Sequence, residues 1–196
     1  MAEARKKRLS AAARRDVILS AALDEFARAG YEVASMDRIA AASGVSKPVL
    51  YDHFPSKLAL YEAALERVRE QLLALGSQTA QEVPAGIERV RASARSFFGF
   101  VRDNPTAARV LLQRTTASEE AVGAYDRVQE VATDGIALLL AGAVKMKPGQ
   151  RKLVAEYHKS GLHSLARLML EVPRLEAESL AELATTLIWS GLGQSG

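Results

Sequence analysis

Lys47, Val49, Tyr51 and His53 follow one another closely, with Lys57 just beyond, and their chemistry is complementary. An ammonium and an imidazole offer donors to base edges and phosphates. A phenol reaches phosphate oxygens, and an aliphatic side chain suits a thymine methyl. The five point to a surface that meets a nucleic-acid groove, provided the chain turns them to one side.

A short helix would do so. Ser46 is a good N-cap, Pro48 is tolerated in a first turn, and Leu50 and Phe54 fall four apart on the opposite face. Upstream, Ser35 caps another short helix carrying Ile39 and Ala40, and Gly44 ends it where positive φ is cheap. Ala40 is small where the two helices must approach closely. Ile39, Val45, Leu50 and Phe54 are spaced to lock the pair together and onto Phe26 of a preceding helix. Two short helices joined by a tight glycine turn make a helix-turn-helix.

Helical periodicity continues along the chain from Arg14 and β-branched residues are sparse, so the expected fold is all-α with about nine helices. Ile18, Ala22, Phe26 and Ala29 mark the first face, which Gly30 stops. Ser56 caps a fourth helix through Leu60, Ala64, Val68, Leu72 and Leu75, and residues 76–84 read as a connection. An amphipathic helix follows from Ile87 to Val101, and Asn104-Pro105 ends it. A shorter one covers Ala107 to Leu112, and Ser118 caps a long one that reaches Ala143 before Lys147-Pro148-Gly149. Gln150 to Glu171 and Leu175 to Leu192 complete the set, separated at Pro173.

The composition bounds the function classes. With 196 residues, 48% hydrophobic and 25% charged, this is an ordinary globular composition. The absence of cysteine excludes thiol catalysis, thiolate zinc sites and disulfides. The longest apolar run, Gly135 to Val144, is about half a membrane span. Arg5, Lys6, Lys7 and Arg8 precede no apolar segment, so no secretory signal is read there and the expected location is the cytoplasm. Residues 1–60 hold ten Lys/Arg against seven Asp/Glu, whereas the remainder balances, so the basic excess sits in an arm suited to phosphates.

No catalytic or cofactor constellation emerges. His158 and His163 are five apart, about 140° around a helix, and do not pair on a metal as an i, i+4 couple would. Gly191 to Gly196 matches G-x-G-x-x-G, yet it follows a helix and opens none, which the dinucleotide fingerprint requires. Neither enzymatic activity, a cofactor nor a metal is expected. A helical adaptor that docks through its basic arm would leave the shared outward face of Lys47, Tyr51 and His53 unexplained.

The run SMDRIAAASGVSKPVLYDHFPSK over 35–57, preceded by AALDEFARAGY over 21–31, closely resembles the tetracycline-repressor (TetR) family, and the likeness extends over about 14–74. The resemblance implies roles. Ser35 would cap the second helix and bond a phosphate, with Met36 and Arg38 at the groove edge. Ser46 opens the recognition helix, Lys47, Pro48 and Val49 would approach bases, and Tyr51 and His53 would contact phosphates. Lys57 would clamp the backbone, and Val49 stands where a Thr is common, so readout there would be apolar.

It implies further a homodimer on double-stranded operator DNA, built through the last two helices. Leu180, Leu183, Ala184, Leu187, Ile188 and Gly191 form a compatible stripe. A small apolar or amphipathic effector would enter among the middle helices, with Phe97, Phe98, Tyr125, Tyr157, His158 and Trp189 as candidate lining, and release the DNA. The expected organisation is a basic arm over 1–13, a helix-turn-helix domain over 14–74 and a helical regulatory and dimerisation domain over 75–196. No membrane partner is expected. A regulator of the same kind without an effector remains the alternative.

Overall fold

A computed structural model describes residues 10–172 and 174–192; the basic run 5–8 and most of the expected arm lie outside the described residues. Among these residues there are helices and no strand. In order they are α1 (Ala11–Val33), α2 (Met36–Ser43), α3 (Lys47–His53), α4 (Lys57–Glu82) and α5 (Ile87–Asp103). Then come α6 (Pro105–Leu112), α7 (Glu119–Ala141), α8 (Pro148–Glu171) and α9 (Ala177–Leu192).

Serine hydroxyls start four of them. Ser10, Ser35, Ser56 and Ser118 each accept the backbone N–H three residues on, from Ala13, Arg38, Ala59 and Ala121. Each such cap is worth about 1 kcal/mol. Ser46 occupies the same place before α3 but makes no side-chain cap bond, so the short α3 relies on Pro48 in its first turn and on packing. Gly30 (φ 70°) kinks α1 near its end, and Gly44 (φ 67°) turns the chain between α2 and α3, conformations that cost other residues strain.

Several boundaries differ from expectation. The first helix starts at Ala11 rather than Arg14, α7 ends at Ala141 rather than Ala143, and α8 already begins at Pro148. The largest difference is residues 76–82, which are helical rather than a connection. Gly76 and Ser77 are absorbed into α4 because the turn beyond them is anchored. Buried Thr79 donates back to the Leu75 carbonyl at 2.9 Å and lies 3.1 Å from Ser96 Oγ on α5. Gln78 bonds Glu82 at 2.8 Å. A glycine costs a helix only about 1 kcal/mol, which such packing offsets. The helix stops where Val83 precedes Pro84.

The core runs through both ends of the molecule. Ile18, Phe26, Ile39, Leu50, Phe54, Leu60 and Leu65 bury almost completely where α1–α3 meet the first half of α4. Phe98, Val101, Ala108 and Val110 continue it through α5 and α6. The second half of α4 lies along α5 and α7, α8 packs on α7, and α9 lies along α5. Arg95 bridges to Glu178 and Glu182 on α9 at 2.6 and 2.8 Å, fixing that last contact. The loop after α6 also ties back to α1, through Thr116 to Glu32 at 3.1 Å.

Candidate functional site

The α2–α3 pair presents the outward face. Pro48 and Tyr51 are exposed, and Val49 and His53 are half-buried. Leu50 is fully buried beneath them, with Ile39, Phe54 and Phe26. The Lys47 ammonium, at the start of α3, lies 2.8 Å from the Asp37 carboxylate on α2, and that bond raises its pKa. Ser46 is exposed beside it, and Ser35, at the cap of α2, is half-buried.

Of the two expected groove-edge residues, one is turned inward and the other stays at the surface within an ion pair. Met36 turns into the core with about 8% exposure, because the first turn of α2 faces α1. Arg38 bends back to Glu25, with its Nε 2.7 Å from Oε1, and also donates to the Val33 carbonyl at 3.1 Å. Glu25 is the centre of that knot. It accepts from Arg28 at 2.8 Å and from the Ser35 backbone N–H at 3.0 Å. Burial raises this carboxyl, but the hydrogen bonds from Arg38, Arg28 and Ser35 outweigh it and hold the pKa at about 2.

Lys57 has a second duty. Its ammonium donates to the carbonyls of Glu32 and Ala34 at 3.0 and 3.3 Å and lies 4.8 Å from the Tyr31 ring centre. It thereby binds the start of α4 to the loop that leads into α2. Arg15 acts similarly on the other side, donating to the His53 carbonyl at 3.1 Å with its guanidinium 4.1 Å over the Phe54 ring. Sequence reasoning missed Arg15 and Glu25. The i, i+3 spacing of Glu25 and Arg28 was visible, whereas the link to Arg38 depends on tertiary structure.

Between α4, α5, α7 and α8 lies a cavity of about 420 Å³, lined mainly by leucine, valine and alanine. Of the six expected lining residues, Phe97 and His158 reach it. Phe98 and Tyr125 are buried in the core away from it, and Tyr157 and Trp189 are exposed, 78% and 37%. Those four follow the helix faces set by α7–α8 and α5–α9 packing, which periodicity does not reveal. Residues not foreseen also line it: Lys159, His163, Arg69 and Arg89. The His163 ring stacks on Phe97 at 5.9 Å. Burial lowers the pKa of His158 and of His163 to about 4, so both are neutral near pH 7.

The α9 stripe divides in two. Leu180, Ala184 and Ile188 bury against the protomer's own core, so they are not available to a second copy. Leu183, Leu187 and Gly191 remain exposed, as do Leu153, Tyr157 and Leu168 on α8. Among the described residues no group of three or more His, Asp or Glu is placed to hold a metal. None of their helices is long and apolar enough to cross a membrane.

Comparison with known proteins agrees with this geometry. The pattern of the family described as "Bacterial regulatory proteins, tetR family" matches residues 18–64. The HTH-type transcriptional activator FasR of Mycolicibacterium smegmatis is 32% identical over 190 residues, 96% of this chain and 87% of that protein. A TetR-like transcriptional regulator from Rhodococcus sp. RHA1 superposes with a TM-score of 0.81 at 26% identity, over 95% of this chain and 99% of that one. AibR, solved in complex with isovaleryl coenzyme A and operator DNA, shares the fold at a TM-score of 0.69 and 20% identity, over 89% and 97% of the two chains.

Proposed function

Because the chain belongs to the tetR family of bacterial regulatory proteins and is a DNA-binding transcriptional regulator, we propose that it holds a near-palindromic operator as a homodimer. In this reading a small amphipathic molecule, filling the cavity between α4, α5, α7 and α8, shifts it off the DNA. Ser35, Ser46, Lys47, Pro48, Val49, Tyr51, His53 and Lys57 form the DNA-facing set, with the bases met at the start of α3. Met36 supports that set from the core, and Arg38, half-exposed and tied to Glu25, stands at its edge.

The observation that carries this reading is the unbroken α4. Its first residue is Lys57, beside the helix-turn-helix, and its Leu72, Leu75 and Gly76 line the cavity. A ligand that favours one placement of that helix over another changes the populations of the DNA-competent and incompetent states. Residues 14–74 then read DNA and 75–196 sense and dimerise, with α4 shared between them. The exposed Leu183 and Leu187 of α9, beside Leu153 and Leu168 of α8, support a two-fold contact through these helices. Such a dimer sets two α3 helices in successive major grooves. The cytoplasm, where the DNA is, is the proposed location.

The default outcome of operator occupancy is repression. Activation is the second reading, favoured by the relative FasR, which is named an activator. The test is to retain fragmented genomic DNA on the purified protein at moderate and at raised salt and sequence it. One near-palindromic motif recovered at both salts is the expected result. Salt-labile DNA without a motif would overturn the operator reading. A reporter behind that motif then rises on removal of the protein if it represses and falls if it activates.

A further inference from the structure

The cavity wall contains five nitrogen-bearing side chains that can carry positive charge, Arg69, Arg89, His158, Lys159 and His163, and no carboxylate. They are not equivalent. The Lys159 ammonium has spent all three N–H groups, on the Gln129 carbonyl at 3.1 Å, Thr133 Oγ1 at 2.8 Å and Glu156 Oε2 at 2.8 Å. Arg69 is paired with Glu66, and the Arg89 Nε donates to the Val83 carbonyl at 2.7 Å.

His158 and His163 differ. Each is only 9% exposed, both line the cavity, and neither ring makes a hydrogen bond to the protein among the described residues. No nitrogen of either ring is sealed off without a partner, so both rings stay accessible from the cavity, where a ligand can accept from them. Being neutral, each imidazole holds one N–H to donate.

We propose that His158 and His163 are the polar anchor of the cavity, and that its ligand is an apolar chain ending in a single carboxylate. Resting on the effector reading above, this inference names the chemical class of that effector. The chain lies along Leu72, Leu75, Ile136 and Leu139, and the two carboxylate oxygens accept the two imidazole N–H groups. Lys159 and Arg167, which already act electrostatically on His163, add a favourable field that Glu156 only partly cancels. An amine would find cationic groups but no carboxylate in the cavity lining, the nearest acids, Glu66 and Glu156, being already paired with Arg69 and Lys159. An alcohol has one oxygen where the site has two donors.

The test is calorimetric titration of the full chain with octanoate, 1-octanol and octylamine. Octanoate should bind at least tenfold more tightly than 1-octanol, and octylamine should not register. A hydrogen bond to a charged group is worth roughly tenfold in affinity. His158→Phe and His163→Phe should therefore each remove most of the octanoate advantage while sparing 1-octanol. His163→Gln, which keeps an N–H and is the milder change for folding, should retain part of it. Gly135→Leu fills the cavity, since a Cβ at Gly135 meets nothing within 4 Å, and should abolish both probes.

Equal affinity for octanoate and 1-octanol in the wild type would overturn the anchor, as would an octanoate preference that survives the double phenylalanine variant. Octanoate that binds through the histidines yet leaves the protein–operator complex intact supports the anchor and overturns the effector reading instead. A molecule that dissociates that complex, is excluded by Gly135→Leu and binds the double variant with full affinity does the reverse.

Discussion

Lys47 and Asp37 form an ion pair 2.8 Å long across the turn of the helix-turn-helix, so the first residue of α3 is held by the first turn of α2. Both side chains remain mostly in solvent, and the pair orients the ammonium rather than stabilising the fold. Lys47→Ala should relax sequence preference at one position per half-site, by about 1–3 kcal/mol. Asp37→Asn should leave the selected motif recognisable while raising affinity for unrelated DNA, because the ammonium is released and one negative charge is gone. Selection from random duplexes reads both; an unchanged motif in Lys47→Ala would contradict base contact there.

Lys57 should show two separable losses. Its bonds to the Glu32 and Ala34 carbonyls predict that Lys57→Ala lowers folding stability by about 1–2 kcal/mol without any DNA present. If it also meets a phosphate, the salt dependence of DNA binding should flatten by about one unit for each phosphate that is no longer neutralised. Chemical denaturation and a salt series of binding isotherms separate the two. A destabilised protein with an unaltered slope would confine Lys57 to the structural role.

Stability should fall in two pH windows. His158 and His163 have folded pKa values of about 4, below the usual 6.5, so the unfolded chain takes up protons first as pH drops from 6.5 to 4. Each then removes up to about 1.4 kcal/mol per pH unit within that window. Glu25, held at about 2 instead of 4.5, contributes stability above pH 4.5 that is lost as pH falls toward 2. Melting temperatures measured between pH 2 and 8 should flatten in the upper window for His158→Phe with His163→Phe, and in the lower one for Glu25→Gln.

The two sides of α9 should respond oppositely to substitution. Leu187→Glu, at an exposed position, should convert a dimer to monomers in sedimentation experiments with little change in the protomer's helicity. Leu180→Ala, in the protomer core, should cost about 2–5 kcal/mol of stability. A dimer that persists in Leu187→Glu would move the proposed interface elsewhere.

Gly44 offers a purely conformational test. A Cβ there meets nothing within 4 Å, so Gly44→Ala should cost about 1 kcal/mol through its φ of 67° alone. Gly44→Asn should recover most of it, since Asn tolerates that region.

The helix-turn-helix was legible because its signals are local: a serine cap at 35, a glycine at 44 and apolar residues at 39, 50 and 54. The family resemblance extended that reading to roles on DNA. The second half of α4 was not legible, because Gly76-Ser77 carries a break signal that only packing against α5 overrides. The cavity escaped for a related reason. Periodicity tells that Phe97 and Phe98 lie on an amphipathic helix, but only the neighbouring helices decide that one lines a void and the other fills the core. On α9 the apolar stripe was real, yet apolarity alone does not say whether α5 or a second protomer covers each position.

The continuity of α4 has a consequence for chain length. Inserting one residue between Val68 and Leu72 would turn every later position by about 100° relative to Lys57. Leu72, Leu75 and Gly76 would leave the cavity even though no side chain had changed. Insertions or deletions of about seven, eleven or eighteen residues bring the helical phase back, and those of one or two residues do not. The middle of α4 is therefore constrained in residue number as well as in residue type, because its phase ties the cavity-lining residues to the helix-turn-helix end.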